Sequence, residues 1–164
     1  VRVIRSSLIL VALAALLAGC GFHLRGQRAA AGVEDLGALH VRASAALVEA
    51  LRSEVAGSGG RLVEDAGEAD VRIVVAGEAF SRRVLSVDPQ SGKASEYQLR
   101  YRLSFAASGR DGRSIVASEP LELARDFVFD RGALIGKGRE EGRLREELRR
   151  EAARRILRRV SAAR

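Results

Sequence analysis

The sequence predicts an α+β fold. It is a two-layer sandwich in which two helices cover one face of a four-stranded, mostly antiparallel sheet, in the order βαβββα. Three observations lead there. Two segments carry apolar residues at helical spacing on one side only. One long segment alternates apolar and polar residues with few breaks. Two turn-rich clusters then separate three extended runs. A half-wet sheet and two one-striped helices bury all their apolar surface only by packing on each other.

The elements follow in chain order. Leu39-His40-Val41-Arg42 alternates and reads as a short half-buried strand. Ser44 is a suitable N-cap for a helix whose Leu47, Val48, Leu51 and Val55 recur at helical spacing. Gly57, Gly59 and Gly60 stop it, and Arg61-Leu62-Val63 is a short extended piece beginning the return. A strand starts at Val71-Arg72-Ile73 and runs past Phe80 to Val87, with a bulge expected near Gly77. Asp88 to Lys93 is a turn cluster. Tyr97, Leu99, Tyr101, Leu103 and Phe105 then share one strand face, with Gln98, Arg100, Arg102 and Ser104 on the other. After a second turn at 108–113, Ile115 to Phe129 returns as a long strand. Pro120 places that strand at an edge or marks a bulge. Leu144, Leu148, Ala152, Ile156 and Val160 form the stripe of a closing helix, whose start is blurred by Gly136, Gly138 and Gly142.

The first 36 residues obey a different logic. Arg2 and Arg5 precede an apolar run from Leu8 to Leu17, then Ala18, Gly19 and Cys20. A basic start, a short apolar stretch and small residues make a secretory signal peptide, 1–19. The run is too short to span a bilayer, which takes about 20 apolar residues. Leu17-Ala18-Gly19-Cys20 also resembles the lipobox of bacterial lipoproteins. That resemblance implies cleavage before Cys20, a diacylglycerol on its thiol and an acyl chain on its new amino group. Anchoring by several chains is stable where one is marginal. Gly21, where a retention signal would carry Asp, favours delivery to the outer membrane. Residues 20–36 are then a lipidated N-terminus and tether, and 37–164 are one domain. Cys20 is the chain's one cysteine, so stability comes from packing and not from disulfides.

Charge and composition bound the function. The formal net charge is +7. Loss of Arg2 and Arg5 would leave about +5 on the folded part. A basic surface suits nucleic acid, anionic lipid or an acidic protein, and an export signal removes nucleic acid as a partner. No catalytic constellation emerges. The two histidines, His23 and His40, lack the partners of a metal site or a triad, and no glycine-rich phosphate loop joins a strand to a helix. The reading is therefore non-enzymatic, with no metal and no cofactor beyond the lipid on Cys20.

Basic residues at strand ends are the candidate site. Arg82 and Arg83 lie on the second strand, Val71 to Val87, and Lys93 lies in the turn after it. Arg125 and Arg131 flank the end of the last strand, and Lys137 follows. Arginine offers two parallel donors to a phosphate and lysine a mobile point charge. Together they would suit a phosphorylated, anionic amphiphile. The plainer alternative is a solvated arginine-rich surface that needs no ligand. The two lysines stand out because the chain otherwise uses arginine.

Several stretches resemble one family. They are Gly19-Cys20-Gly21-Phe22-His23-Leu24-Arg25-Gly26, Ser95-Glu96-Tyr97-Gln98-Leu99, and Arg125 to Asp130 followed by Ala133-Leu134 and Lys137. Over the whole chain these resemble the LptE family of lipopolysaccharide-assembly lipoproteins. The resemblance implies the βαβββα sandwich and a place at the inner leaflet of the outer membrane. It also implies a partner, the β-barrel LptD, whose lumen the domain plugs and whose assembly it assists. It implies lipopolysaccharide as ligand, and by position Lys93 and Lys137, with Arg82, Arg83 and Arg131, are where its phosphates are expected to be met. A generic outer-membrane lipoprotein adaptor, binding another envelope protein, is the competing reading, and a periplasmic hydrolase is a weaker third.

Overall fold

The computed structural model describes residues 36–58, 60–128 and 137–164, the side chains of 137–139 excepted. The signal peptide, Cys20, His23, the tether up to residue 35, Gly59, Phe129, Arg131, Ala133, Leu134 and Gly136 lie outside the described residues.

The elements are β1 (Ala38–Arg42), α1 (Ala45–Ala56), β2 (Arg61–Leu62), β3 (Val71–Val87), β4 (Ala94–Gly109), β5 (Ser114–Val128) and α2 (Lys137–Ala162). They form an α+β fold with one mixed sheet in the order β2-β1-β3-β4-β5. The sheet therefore has five strands, where the sequence suggested four. Arg61-Leu62 is not only a return but a parallel edge strand, pairing Ala38 with Arg61 and Leu39 with Leu62. The Val63 N–H donates to the Leu39 carbonyl at 2.8 Å, which occupies an otherwise open acceptor of β1. β1 also runs parallel to β3, from Leu39–Val71 to Arg42–Val74.

The long strands pair antiparallel, as the alternation requires. β3 is bulged between Ala76 and Ala79, where Gly77 takes a φ of 65°. Pro120 lies on β5, an outer strand of the sheet. The register of β5 slips right beside it, between Glu119 and Val116. A residue without an N–H is tolerated at either kind of position.

The core lies between the sheet and the helices. The Ser44 side chain caps α1 by accepting the Leu47 N–H, and Leu47, Leu51 and Val55 point inward. From α2 come Leu144, Leu148, Ala152, Ala153, Ile156, Leu157 and Val160. They meet Leu39, Val71, Ile73, Leu99, Tyr101, Leu103, Phe105 and Leu123 of the sheet. α2, whose start the sequence left blurred, begins at Lys137 and runs through Gly138 and Gly142. Ion pairs along its first turns, Glu140–Arg143 at 2.7 Å and Glu141–Arg145 at 2.6 Å, offset the glycine penalty. Among the described residues no helix is long and apolar enough to cross a membrane.

Candidate functional site

The Gly77 bulge divides the sheet. Before it, the inward positions of β3 are Val71 and Ile73, both fully buried. After it, Phe80 pairs with Tyr101, Arg82 with Leu99 and Val84 with Tyr97. Phe127 faces Tyr97 from β5. The inward face thus changes from aliphatic to aromatic and charged.

α2 closes over this second half with polar side chains. Phe80 stacks on Tyr101 with ring centroids 4.2 Å apart. The guanidinium groups of Arg145 and Arg149 lie 5.1 and 5.0 Å from the Phe80 centroid. Arg149 pairs with Glu78 at 3.7 Å. Arg82 reaches Glu141 at 3.3 Å and lies 4.8 Å from the centre of the Tyr97 ring, which stacks on Phe127. Arg125 pairs with Glu151. Burial and the neighbouring Glu78 carboxylate push the Tyr101 phenol well above its ordinary value, so it stays protonated. The Arg143 guanidinium bonded to Glu140 holds that carboxyl below its usual range.

The predicted basic residues that are described, Arg82, Arg83, Lys93, Arg125 and the backbone of Lys137, lie toward one end of the molecule, and Arg131 lies outside the described residues. Arg82 and Arg83 are consecutive on β3, so Arg82 faces α2 and Arg83 the opposite side. Arg83 is exposed, and no hydrogen bond or ion pair to a described residue holds it. Lys93 precedes Ala94, which pairs with Val87. That puts it roughly 13–17 Å beyond Arg83 along the hairpin. Lys137 is one helical turn before Glu141, whose carboxylate meets Arg82. The backbones of both lysines therefore lie toward the same end. Arg125 shares a row with Arg82 through Leu99. Arg82 and Arg125 are engaged by α2, whereas Arg83 is the cation left facing solvent.

Two features were not foreseen from sequence. One is the aromatic and arginine layer under α2. Its signal was present in Glu78, Phe80 and Arg82 at alternate positions, and in Glu141, Arg145 and Arg149 at helical spacing. The other is a group of exposed aliphatics around the same end: Val84 at 49%, Leu85 at 39%, Val87 at 55% and Val128 at 70% exposure.

Other surfaces are self-satisfied. On the open sheet face, Arg102 and Arg100 share Glu122 at 2.9 and 3.5 Å, and Gln98 donates to Asp126. A cleft of about 660 Å³ at the opposite end is lined by Asp70, Arg110, Asp111 and Arg113. There Arg110 is bound to Asp70 at 3.1 Å and to the Glu68 carbonyl. No group of three potential metal-ligating side chains converges among the described residues. His40 pairs in register with Arg72 on the neighbouring strand.

Comparison with known proteins gives the same outline. A family model described as "LptE: Lipopolysaccharide-assembly" matches residues 31–160. A protein of Pectobacterium atrosepticum named "LPS-assembly lipoprotein LptE" is 31% identical over 147 residues, covering 87% of this chain and 77% of that one. The crystal structure of the rare lipoprotein B from Shewanella oneidensis superposes with a TM-score of 0.64 at 25% identity. It covers 77% of this chain and 95% of that one. The solution structure of a lipoprotein B from Nitrosomonas europaea has the same fold, with a TM-score of 0.67 at 24% identity over 87% and 91% of the two chains.

Proposed function

This chain belongs to the LptE lipopolysaccharide-assembly family, and we propose that within it the protein is a non-enzymatic, lipid-anchored subunit of the outer membrane. Its role is in lipopolysaccharide assembly. It plugs and helps to assemble the LptD β-barrel and binds lipopolysaccharide on its way to the outer leaflet. Cys20 carries the anchor, through a thioether to diacylglycerol and an amide-linked acyl chain.

The observation that carries the reading is the gathering of cations at one end of the domain. Arg83 is exposed and without a described partner, Lys93 sits in the adjacent turn, and the backbone of Lys137 lies toward the same side. Lipid A presents phosphates joined to acyl chains. A guanidinium grips such a phosphate through two donors, and a lysine ammonium follows it as a point charge. The rest of the surface suits a barrel lumen. Large barrels have polar interiors and accept plugs, and this domain's open sheet face is laddered with neutralised charges.

Two experiments test the reading. Gentle detergent extraction and affinity purification should bring down a large β-barrel with the chain. A clean lipoprotein without the barrel, both being expressed, would favour the generic adaptor. Replacing Lys93→Glu and Lys137→Glu together should weaken direct lipopolysaccharide binding at least tenfold. Unchanged binding would remove those residues from the site.

A further inference from the structure

We infer that Val84, Leu85, Val87 and Val128 form an acyl-chain collar that completes the cationic end. On this account one amphiphile is held by its phosphates at Arg83 and Lys93, and by its hydrocarbon along the collar. The inference rests on the lipopolysaccharide-binding reading above and gives it a second, apolar half.

Position is the first argument. Five large hydrophobic residues are exposed among those described, and four of them lie at this one end. Scattered exposed aliphatics are ordinary on any protein, but a cluster in one place marks a contact surface. Val84 and Val87 are on the last part of β3, and Val128 is the last residue of β5. Register sets them around the end of the sheet: Val84 pairs with Tyr97 on the face that α2 covers, and Val128 pairs with Glu96, the next residue of β4, on the open face. The β3 register slips between Val84 and Ser86, so Leu85 sits in the irregularity.

The second argument is how the patch is bounded. Arg83 borders it on one side. On the other lies the Asp88–Lys93 turn, closed by the Asp88 N–H donating to the Lys93 carbonyl at 2.8 Å. The carboxylate of Asp88 accepts from the Ser91 N–H and hydroxyl. The hairpin tip is thus polar and the apolar residues lie behind it. A flat bilayer meeting the hairpin end-on would touch the polar turn first. A single lipid with several chains can straddle the end of the sheet, its phosphates at Arg83 and Lys93 and its hydrocarbon against both faces behind the turn. Cationic borders around an apolar strip complement an anionic head joined to hydrocarbon. Of the acidic groups nearby, Asp126 accepts from Gln98 and Asp88 from Ser91, while Glu96 pairs with Val128 on the open face and bounds the collar there.

The test uses the full lipidated chain in non-ionic detergent with its barrel partner. Two probes are compared: hexa-acylated lipid A, and the fully deacylated bisphosphorylated glucosamine disaccharide. The wild type should prefer lipid A at least tenfold. The variant Val84→Ser, Leu85→Ser, Val87→Ser, Val128→Ser should lose that preference and keep wild-type affinity for the disaccharide. Arg83→Glu with Lys93→Glu should lose affinity for both. Val87→Ser and Val128→Ser singly, at the two most exposed positions, should each lose part of the preference with no change in thermal midpoint. This keeps the inference open to failure even if the quadruple variant misfolds. A quadruple variant that folds and retains the full preference overturns the inference while leaving phosphate binding intact. So does a variant that loses the barrel and not lipid A, because the patch then faces protein. A wild type that binds neither probe overturns the lipopolysaccharide-binding reading, and this one with it.

Discussion

The two halves of the sheet are built from different chemistry although the same three strands run through both. Before the Gly77 bulge, β3 offers Val71 and Ile73, and β4 offers Leu103, Phe105 and Ala107, all buried. α1 and the later turns of α2 cover them with Leu47, Leu51, Ala152, Ile156 and Val160. Beyond the bulge the inward positions are Glu78, Phe80, Arg82 and Val84. They are met by Glu141, Arg145 and Arg149 of α2. The first half buries apolar area, which stabilises by about 25 cal/mol per Å². The second half exchanges that for ion pairs and guanidinium–ring contacts of smaller net worth. One half holds the fold together, and the other presents a surface.

The sharpest contrast is between a leucine of the first half and a valine of the second. Leu51 is fully buried and Val87 is 55% exposed. Leu51→Ala should cost about 2–5 kcal/mol through lost transfer energy and an unfilled cavity. Val87→Ser should stay within about 0.5 kcal/mol. Urea unfolding of the two variants measures both. Equal costs would mean that the second half is as much core as the first.

A pair of glycines separates backbone strain from packing. Gly37 and Gly77 have φ of 69° and 65°. A Cβ on Gly37 would collide with the Asp70 Oδ2, which accepts the Ala38 N–H at 2.9 Å. Around Gly77 nothing lies within 4 Å. Gly77→Ala should therefore cost only the left-handed backbone, about 1–2 kcal/mol. Gly37→Ala should cost about 1 kcal/mol more, because the bond tying β1 to β3 must also give way. That Asp70 bond, with Arg110 beside it, lowers the Asp70 pKa below its ordinary value. Equal costs at the two glycines would show that Asp70 can move aside freely.

At the boundary sits Tyr101, 1% exposed, its hydroxyl buried beside Glu78. Its folded pKa is raised above that of the unfolded chain, near 10. A raised folded value means that the contribution is fully present below about pH 10 and is lost as the unfolded tyrosine ionises above it. Stability should fall as pH rises past 10, and Tyr101→Phe should flatten that fall. Parallel pH–stability curves for the two proteins would count against a buried, neutral phenol.

How much of this was legible in the sequence follows the same division. Both helices and all three long strands announced themselves, because their apolar periods run unbroken where the core is aliphatic. Ser44, Gly77 and Pro120 each marked its feature. Arg61 to Val63 read as extended but was not counted as a strand, because two residues cannot show an alternation and β2 is defined only by its pairing with the edge of β1. The start of α2 stayed blurred because glycine propensity was weighed without the Glu140, Glu141 and Arg82 pairs that hold those turns. At the site, the cations were legible from residue type alone. The apolar collar was not, since the register shifts at Ala76/Ala79 and Val84/Ser86 break the two-residue period that assigns a face. The lipobox-like stretch Leu17 to Cys20, the strongest motif in the chain, lies outside the described residues.

The smallest expected effect bears on whether α2 needs its glycines. Gly142 lies in the first turns of α2, one residue after Glu141 and two before Leu144, which is 7% exposed. It does not have a positive φ, and a Cβ there would meet nothing within 4 Å. Neither backbone shape nor a close neighbour calls for glycine. Gly142→Ala should therefore stabilise the helix by about 0.5–1 kcal/mol, the entropy that glycine gives up in a helix interior. Where the gain is felt distinguishes two arrangements. If the first turns of α2 unfold only with the whole domain, the gain raises the global midpoint. If they open by themselves, as polar turns over a sparsely packed half-sheet should, the midpoint hardly moves. Amide exchange from Arg143 to Leu148 would then slow by about two- to five-fold. The ion-paired character of this half predicts the second pattern. A rise in the global midpoint without local slowing would mean that α2 and both halves of the sheet behave as one cooperative unit.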